Sequence, residues 1–518
     1  MSFIFDRKVR GKVYSYRITG YREKKTGKVK QKREYLGVRN PETGEVTTPR
    51  KDRWAARNSV VSGVVHAVDK CSSANRLKET LALSLGAGDG GKAFALAAYC
   101  ATEGTPMYLY ENWAHSAENL SVHAMSSQKV SGFLRRLGEN ERGRAEFWKL
   151  WSRLHGRNRN LVFDITSIST YADGLDMDEF GYNRDGESLP QINVGMVYSD
   201  CPSTPLGYKV YPGSVGDVST VKNLLHYLKH DLGLPHSRLV LDRGFFSVAN
   251  LKGLDSAGYD YLIPVPSGLR VAKELLMETE GSFNDESAYF EFNGRLMAHA
   301  ESSRDYAGAF RRFHVFVDFQ RRNDETKALL AKLKDVEDRF EGKDFGTVED
   351  ATLFVESVAK GTAKLYRFRR TAGRFSIRRD SAAVHERAKR FGKIILLPKN
   401  FGSEPLPLLT DYFRRDGVEK FFDTLKNEMD SARGRVHSQE NFDGRLFIHM
   451  VALVIHGEMT ARIKTNGKPV KFKMAFPEIV SNLKRLKRTY SADGTSVLGE
   501  LTKKQRDIFA VLGIPPPE

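Results

Sequence analysis

The chain has 518 residues, a formal charge of +18, 40% hydrophobic residues and 11% aromatic residues. At about 150 residues per domain this length calls for three or four units, and the apolar and aromatic content supports packed cores and argues against disorder. The basic excess attracts polyanions, and no run of about 18 apolar residues marks a membrane-spanning helix.

The start, MSFIFDRKVRGK, has no apolar core before a small-residue cleavage site, so no signal peptide is expected. Cys71, Cys100 and Cys201 stand far apart, in neither a disulfide framework nor a zinc pattern, which suits a reducing cytoplasm. Residues 1–60 hold 17 Lys and Arg against 6 Asp and Glu, and a second basic cluster, KRLKR, occupies 484–488. Neither lies on an apolar amphipathic face of the kind that rests on lipid, so nucleic acid is the favoured polyanion. The plainer alternative is a merely soluble basic protein.

In chain order, residues 12–38 alternate in places and turn at KKTGK, which predicts a basic β-hairpin or small sheet. NPETGEVTTP (40–49) is turn-rich and linker-like. From about 54 to 157 the apolar spacing is helical. SSQKVSGFLRRLGENERGRAEFWKLWSRL predicts two successive helices, compatible with helix-turn-helix DNA binding or with an ordinary helical packing unit. A strand-rich block follows: NLVFDITSIS (160–169), PQINVGMVYS (190–199) and PLGYKVYPG (205–213). Next come a helix from Asp217 to Gly233, a strand SRLVLDRGFF (237–246), a short helix capped by Ser247, and a strand YDYLIPVP (259–266). The order β-β-β-α-β-α-β gives an α/β class, a mixed sheet with helices packed on it. Residues 268–400 read as an inserted, largely β subdomain with a charged helical stretch within it. From 405 onward the pattern is helical again, including FDGRLFIHMVALVIHGEMTARI (442–463).

The stretch TDYFRRDGVEKFFDTLKNEMD (410–430) carries the chemistry. At about 100° per residue on one helix, Tyr412, Arg415, Glu419 and Lys426 fall within roughly 60° of arc. Val418, Phe421, Phe422, Leu425 and Met429 form a neighbouring apolar face, which places the polar stripe at the edge of a core. Gly417 is a point where that helix can bend. An isolated Arg/Glu/Lys set is ordinarily a solvated stripe of salt bridges. Two further acids change that reading: Asp164 stands mid-strand in LVFDITS, and Asp242 ends the strand RLVLD. A carboxylate there is costly unless a cation neutralises it. Three carboxylates without a His/Cys cluster suit hard cations, Mg²⁺ or Mn²⁺. Two such ions, about 3.5–4 Å apart, can activate a hydroxyl and stabilise a phosphodiester leaving oxygen. Arg415 and Lys426 can hold the flanking phosphates, and Tyr412 can donate to a phosphate or stack on a base.

Y-x2-R-x3-E-x6-K, carried here by Tyr412, Arg415, Glu419 and Lys426, resembles the signature of DDE transposases of the insertion-sequence-four kind. DITS around Asp164 and DRGFF from Asp242 resemble the segments bearing that family's first two catalytic acids, and the long gap before Glu419 resembles its β-rich insertion. The resemblance covers roughly residues 158–460. It implies an RNase H-like catalytic domain (158–267 and 401–460) interrupted by the insertion (268–400). Before it would lie a basic N-terminal β module (1–53) and a helical DNA-end-binding domain (54–157), and after it a basic C-terminal region (461–518). It further implies that Asp164, Asp242 and Glu419 hold two Mg²⁺ or Mn²⁺ ions. Water would attack at the transposon end, and the freed 3′-hydroxyl would attack target DNA. Arg415 and Lys426 would bind DNA near the cut, with Tyr412 helping to place it. The implied partners are terminal inverted repeats, target DNA and a second copy of the chain, with no membrane, at the cytoplasmic nucleoid. Some relatives stack a flipped base on a Trp of the insertion. Here Trp54, Trp113, Trp148 and Trp151 all precede the catalytic block, so a Phe or Tyr would have to substitute. The alternatives are a catalytically inactive DNA-binding derivative, such as a repressor, and a plain metal-dependent nuclease on the same fold.

Three other patterns carry less. His226 and His230, one helical turn apart, with His236 nearby, offer ligands for a transition metal but fix no third position. DGLDMDEFGYNRDG (173–186) lacks the calcium-loop glycine and reads as a polar hairpin loop. GAGDGGKAF (86–94) lacks the phosphate-loop spacing and reads as a turn before a helix.

Overall fold

Strand alternation and basic composition build the first layer. β1 (Ser2–Val9), β2 (Lys12–Arg22), β3 (Val29–Arg39) and β4 (Val46–Thr47) form an antiparallel sheet in that order. The computed structural model describes residues 2–9, 12–22, 29–47, 58–170, 179–180, 189–200, 203–214, 217–371, 374–428, 433–434, 438–467, 472–491 and 495–518. The KKTGK turn, Trp54, Cys201 and nearly all of the acidic loop 173–186 therefore lie outside the described residues.

After β5 (Asn58–Val61) come six helices: α1 (Gly63–Ala74), α2 (Leu77–Leu85), α3 (Ala87–Glu103), α4 (Tyr110–Ser116), α5 (Ser127–Glu139) and α6 (Glu141–His155). GAGDGGKAF, expected as a turn before a helix, is instead the first turns of α3, with only Gly86 outside it. Ser126 caps α5 by accepting a hydrogen bond from the Lys129 amide, and Asn140 caps α6 in the same way for Gly143.

The central sheet follows. β6 (Asn160–Thr170), β7 (Gln191–Asp200) and β8 (Ser203–Pro212) form an antiparallel meander. α7 (Asp217–His226), continued by a π-helical turn to Asp231, leads to β9 (Arg238–Leu241), which runs parallel to β6. α8 (Val248–Ser256), capped by Ser247, leads to β10 (Asp260–Pro264), parallel to β9. Leu161, Val162, Phe163, Leu239, Val240, Leu241, Leu262 and Ile263 are all buried. Such unbroken apolar runs are what a strand covered on both faces requires.

The segment expected to be an insertion holds α9 (Arg270–Glu278), β11 (Tyr289–Phe292), β12 (Arg295–Tyr306), β13 (Ala309–Asp318), α10 (Phe319–Phe340), α11 (Val348–Val358), β14 (Tyr366–Thr371), β15 (Arg374–Arg379), α12 (Ser381–Ala388) and β16 (Lys393–Lys399). The expectation of an inserted, largely β subdomain is met by a segment of two parts. β11, β12, β13 and β16 extend the central sheet, whose order is β11-β12-β13-β16-β10-β9-β6-β7-β8. The remainder is built on helices: Leu329, Leu333, Val336 and Phe340 of α10 form a second small core with Ala351 and Val355 of α11 and with Leu365 and Tyr366. The spacing of those four residues is the period of a helix face, hidden in sequence by the charges between them.

The C-terminal part comprises α13 (Pro405–Phe413), α14 (Asp416–Asp423), a π-helical turn (Thr424–Glu428) and β17 (Arg433–Gly434) beside β6, followed by α15 (Gln439–Gly467), α16 (Phe476–Lys484), β18 (Lys487–Tyr490), β19 (Ser496–Leu498) and α17 (Lys503–Leu512). The single helix expected over 410–430 is broken at Arg414–Arg415. There the Arg415 amide donates to the Tyr412 carbonyl and the Gly417 amide to that of Arg414, tight turns that end one helix and start the next.

α15 is long and apolar enough to cross a membrane by length and composition, yet 67% of its most apolar window is buried. It is apolar on every side because it is a core helix, packed against α3, α5 and β8. The N-terminal helices are thus joined to the C-terminal ones, and β5 pairs with β18. α5 and α6, the helix-turn-helix candidates, turn their apolar faces into this shared core. Trp151 Nε1 donates to the Pro205 carbonyl of β8 at 2.9 Å, and the Trp148 ring meets Tyr208 edge-on.

Two glycines permit the α5–α15 contact. A Cβ at Gly444 would lie 2.0 Å from the Leu134 carbonyl oxygen, and one at Gly138 1.8 Å from that of Glu440. Gly444→Ala should therefore cost about 1–3 kcal/mol of stability despite its better helix propensity, read as a lower urea midpoint. An unchanged midpoint would contradict this packing.

Candidate active site

Two of the three acids are brought together by sheet register. Phe163 of β6 pairs with Leu241 of β9, so Asp164 and Asp242 are the next residues along two adjacent parallel strands. Asp164 is 4% exposed, and its Oδ1 accepts the Ile165 amide at 2.8 Å. Asp242 ends β9 and opens a single 3₁₀ turn, Arg243–Phe245.

The third acid arrives on α14. Val418, Phe421 and Phe422 of this helix are buried, and the Phe421 ring lies 5.1 Å from that of Tyr198 on β7. Gly417 serves this docking, since a Cβ there would lie 3.0 Å from the Tyr198 hydroxyl. With the apolar face turned down, Glu419 is left on the side of the strand ends. Arg415 links the set. Its Nη1 donates to Asp242 Oδ1 and its Nη2 to Glu419 Oε1 at 3.2 Å, so both carboxylates lie within the span of one guanidinium. Burial works to lower the Arg415 pKa, but Tyr412, Asp242, Asp164 and Glu419 outweigh it, and the group is held more firmly charged than usual.

Tyr412 sits under this guanidinium, 5.4 Å from ring centroid to carbon. Burial pushes its phenol up, against the opposing pull of Arg415, so it remains a hydrogen-bond donor. Lys426 lies further on, half-buried, in the π-helical turn Thr424–Glu428. The wider pitch there takes it off the regular angular spacing expected of it.

The donor set suits a hard divalent cation. Arg415 bonds two of the carboxylates, Asp242 and Glu419, and feels the charge of the third, Asp164, while its Nε is buried without a hydrogen-bond partner. A guanidinium so placed balances the charge but leaves its own hydrogen bonding incomplete. Carboxylate oxygens are the donors that such a cation takes, but the ligand atoms of Asp164, Asp242 and Glu419 do not all lie within 4.8 Å of one another with Arg415 between them.

A second feature was not anticipated. A cavity of about 490 Å³ opens beside the site, lined by Arg243, Arg321, Lys332, Arg387, Arg390, Lys393 and Tyr412, with Glu325 as the one acid on its wall. Burial, with Arg322 and Lys389 nearby, draws Lys393 down while Glu280 opposes. The signal was present in the basic run RAKRFGK (387–393), but without the fold nothing ties that run to Asp242. The histidine expectation fares differently. The rings of His226 and His230 lie 4.5 Å apart, tilted by 35°, while His236 Nδ1 lies by the Gly258 carbonyl, and the three are not gathered as a ligand set.

A family model described as the transposase DDE domain matches residues 155–455, the span from the end of α6 through most of α15. The chain belongs to the transposase DDE domain family. It is thus an enzyme of DNA transposition, and this family uses divalent metal ions. No curated protein matches the chain. Among solved structures it is similar to the cryo-EM structure of the piggyBac transposase synaptic complex with hairpin DNA, at 11% identity and a TM-score of 0.34, with 82% of this chain and 76% of that one covered.

Replacing Arg415 by Met removes the cation that Asp242 and Glu419 share. The metal-free R415M transposase should lose about 2 kcal/mol of stability, and Mg²⁺ should raise its melting temperature more than it raises that of the native protein. Equal Mg²⁺ responses, measured by thermal unfolding, would contradict the placement of Arg415 among the acids.

Proposed function

We propose that this transposase is of the insertion-sequence-four kind, with Tyr412, Arg415, Glu419 and Lys426 as its signature and Asp164, Asp242 and Glu419 as its catalytic acids. The observation that supports the proposal is that Arg415 bonds Asp242 and Glu419 at once and feels the charge of Asp164, which leaves the strand beside Asp242 at the same level. The sheet supports an RNase H-like catalytic domain: a three-strand antiparallel meander followed by two strands parallel to its first member, in the order β8-β7-β6-β9-β10. We assign 158–267 and 401–460 to that domain, with α15 running on to Gly467, and 268–400 to the insertion.

The reaction is hydrolysis of a phosphodiester at the transposon end, followed by attack of the freed 3′-hydroxyl on a target phosphodiester. In each step one P–O bond forms as another breaks. Mg²⁺ or Mn²⁺, two ions in the full site, would supply electrophilic stabilisation of the phosphoryl oxygens and lower the pKa of the attacking hydroxyl. The chain's own residues do the positioning. Asp164 is fixed by its buried strand and its bond to the Ile165 amide. Asp242 is fixed by the end of β9, and Glu419 by the docking of α14 on β7. Arg415, when it leaves the carboxylates, can pair with a phosphate beside the scissile one through the same two nitrogens. Tyr412 donates to phosphate, and Lys426 adds a point charge. The basic cavity next to Asp242 supports a DNA path across the insertion.

The N-terminal β module (1–53) and the helical region (54–157) are assigned to end binding, and joining two ends calls for a homodimer. Asp164→Asn, Asp242→Asn and Glu419→Gln should each reduce cleavage of end DNA by roughly 10³-fold or more while leaving gel-shift binding to the same DNA intact. Native cleavage by any one variant removes that residue from the assignment.

A further inference from the structure

Among the described residues one group of side chains has its ligand atoms close enough together to hold a metal ion, far in sequence from the three acids. We propose that His299, Glu301 and His314 form a second metal site, for a zinc-class transition ion, on the β12–β13 hairpin of the insertion.

Register places the three side chains together. Along β12, His299 and Glu301 are two apart and share a face. Glu301 pairs across the hairpin with His314 of β13, and His299 with Phe316, so all four project to the same side. His299 Nε2 lies 3.0 Å from His314 Nδ1, and His314 Nδ1 lies 3.6 Å from Glu301 Oε1. One ligand atom from each residue lies within 4.8 Å of the other two. Ligands bound tetrahedrally at about 2.0–2.1 Å stand roughly 3.3 Å apart, so the two shorter separations bracket what a single ion would impose.

A plain hydrogen-bonded histidine pair explains the contact less well. Nδ1 of His314 faces an imidazole nitrogen and a carboxylate oxygen together, and one proton can serve only one of them. A cation at the point of convergence satisfies all three. Arg312 partly meets the Glu301 charge, at 3.6 Å from its other oxygen, but both side chains are solvent-exposed and free to part.

The donor set selects the ion. Two imidazoles and one carboxylate, with a fourth position toward solvent on the Glu301 side, suit Zn²⁺ and not Mg²⁺. Such an ion would clamp β12 to β13. β13 pairs with β16 and β16 with β10, the parallel neighbour of the strand that ends in Asp242. The site would thus stiffen the sheet extension next to the active site without taking part in the chemistry.

The test uses the full-length chain, stripped with a chelator and titrated with Zn²⁺, and separately with Co²⁺ as a spectroscopic probe. The expected result is one tight equivalent of Zn²⁺ that excess Mg²⁺ does not displace, tetrahedral visible bands with Co²⁺, and a rise in melting temperature on loading. His299→Gln and Glu301→Gln, at positions that are not fully buried, should each weaken Zn²⁺ by roughly 10-fold or more and remain folded by circular dichroism. Asp242→Asn should bind Zn²⁺ as the native chain does. The proposal is overturned if Zn²⁺ fails to bind, if H299Q and E301Q bind it as the native chain does, or if D242N abolishes the binding. None of these results bears on whether the three acids cut DNA.

Discussion

The parallel register of β6 against β9 is the constraint on which the site depends. With Phe163 opposite Leu241, Asp164 and Asp242 leave neighbouring strands at the same level. A slip of one residue would send one carboxylate to the opposite face of the sheet. The buried apolar residues that precede both acids make that slip expensive, so the core fixes the chemistry. Two adjacent carboxylates at a water-poor strand end repel one another, and the fold answers with Arg415, which reaches Asp242 and Glu419 together.

Everything else in the catalytic region serves that meeting point. α14 is seated by Phe421 against Tyr198 and by the missing side chain at Gly417. The break between α13 and α14 lets Tyr412 lie beneath the guanidinium while Glu419 stays at the strand ends. The insertion lengthens the same sheet instead of hanging from it, which is why its basic cavity can share Tyr412 with the acid cluster and include Arg243, the neighbour of Asp242. The proposed cation environments differ in kind: a carboxylate set for hard ions at the strand ends, and an imidazole-rich set on the extension.

The sequence made the site's chemistry legible and left much of its geometry hidden. Asp164 and Asp242 stood out because a charge inside or ending an apolar strand needs a partner. The spacing of Tyr412, Arg415 and Glu419 announced a shared face, and the three do gather, although by way of a turn and not along one helix. Gly417 marked where a bend could come, but with no proline in Arg414–Gly417 the place of the break, at Arg414–Arg415, was not legible. The role of α10 was obscured by Lys and Glu between its four core residues. The cavity lining and the His299–Glu301–His314 group come from strands and helices far apart in sequence or from cross-strand pairing, which only register reveals. The joining of the N-terminal helices to α15 rests on Gly138 and Gly444, whose meaning lies in what they touch.

The central claim is that the three acids form one metal site. It is tested most directly by replacing the native ion with Fe²⁺ and mapping the peptide bonds cut by the hydroxyl radicals it generates. The account predicts cuts near residues 164, 242 and 419, all suppressed together by excess Mg²⁺, with any cutting around 299–314 unaffected by Mg²⁺. Cuts near only one of the three acids, or cuts at the three that respond to Mg²⁺ independently, would contradict it.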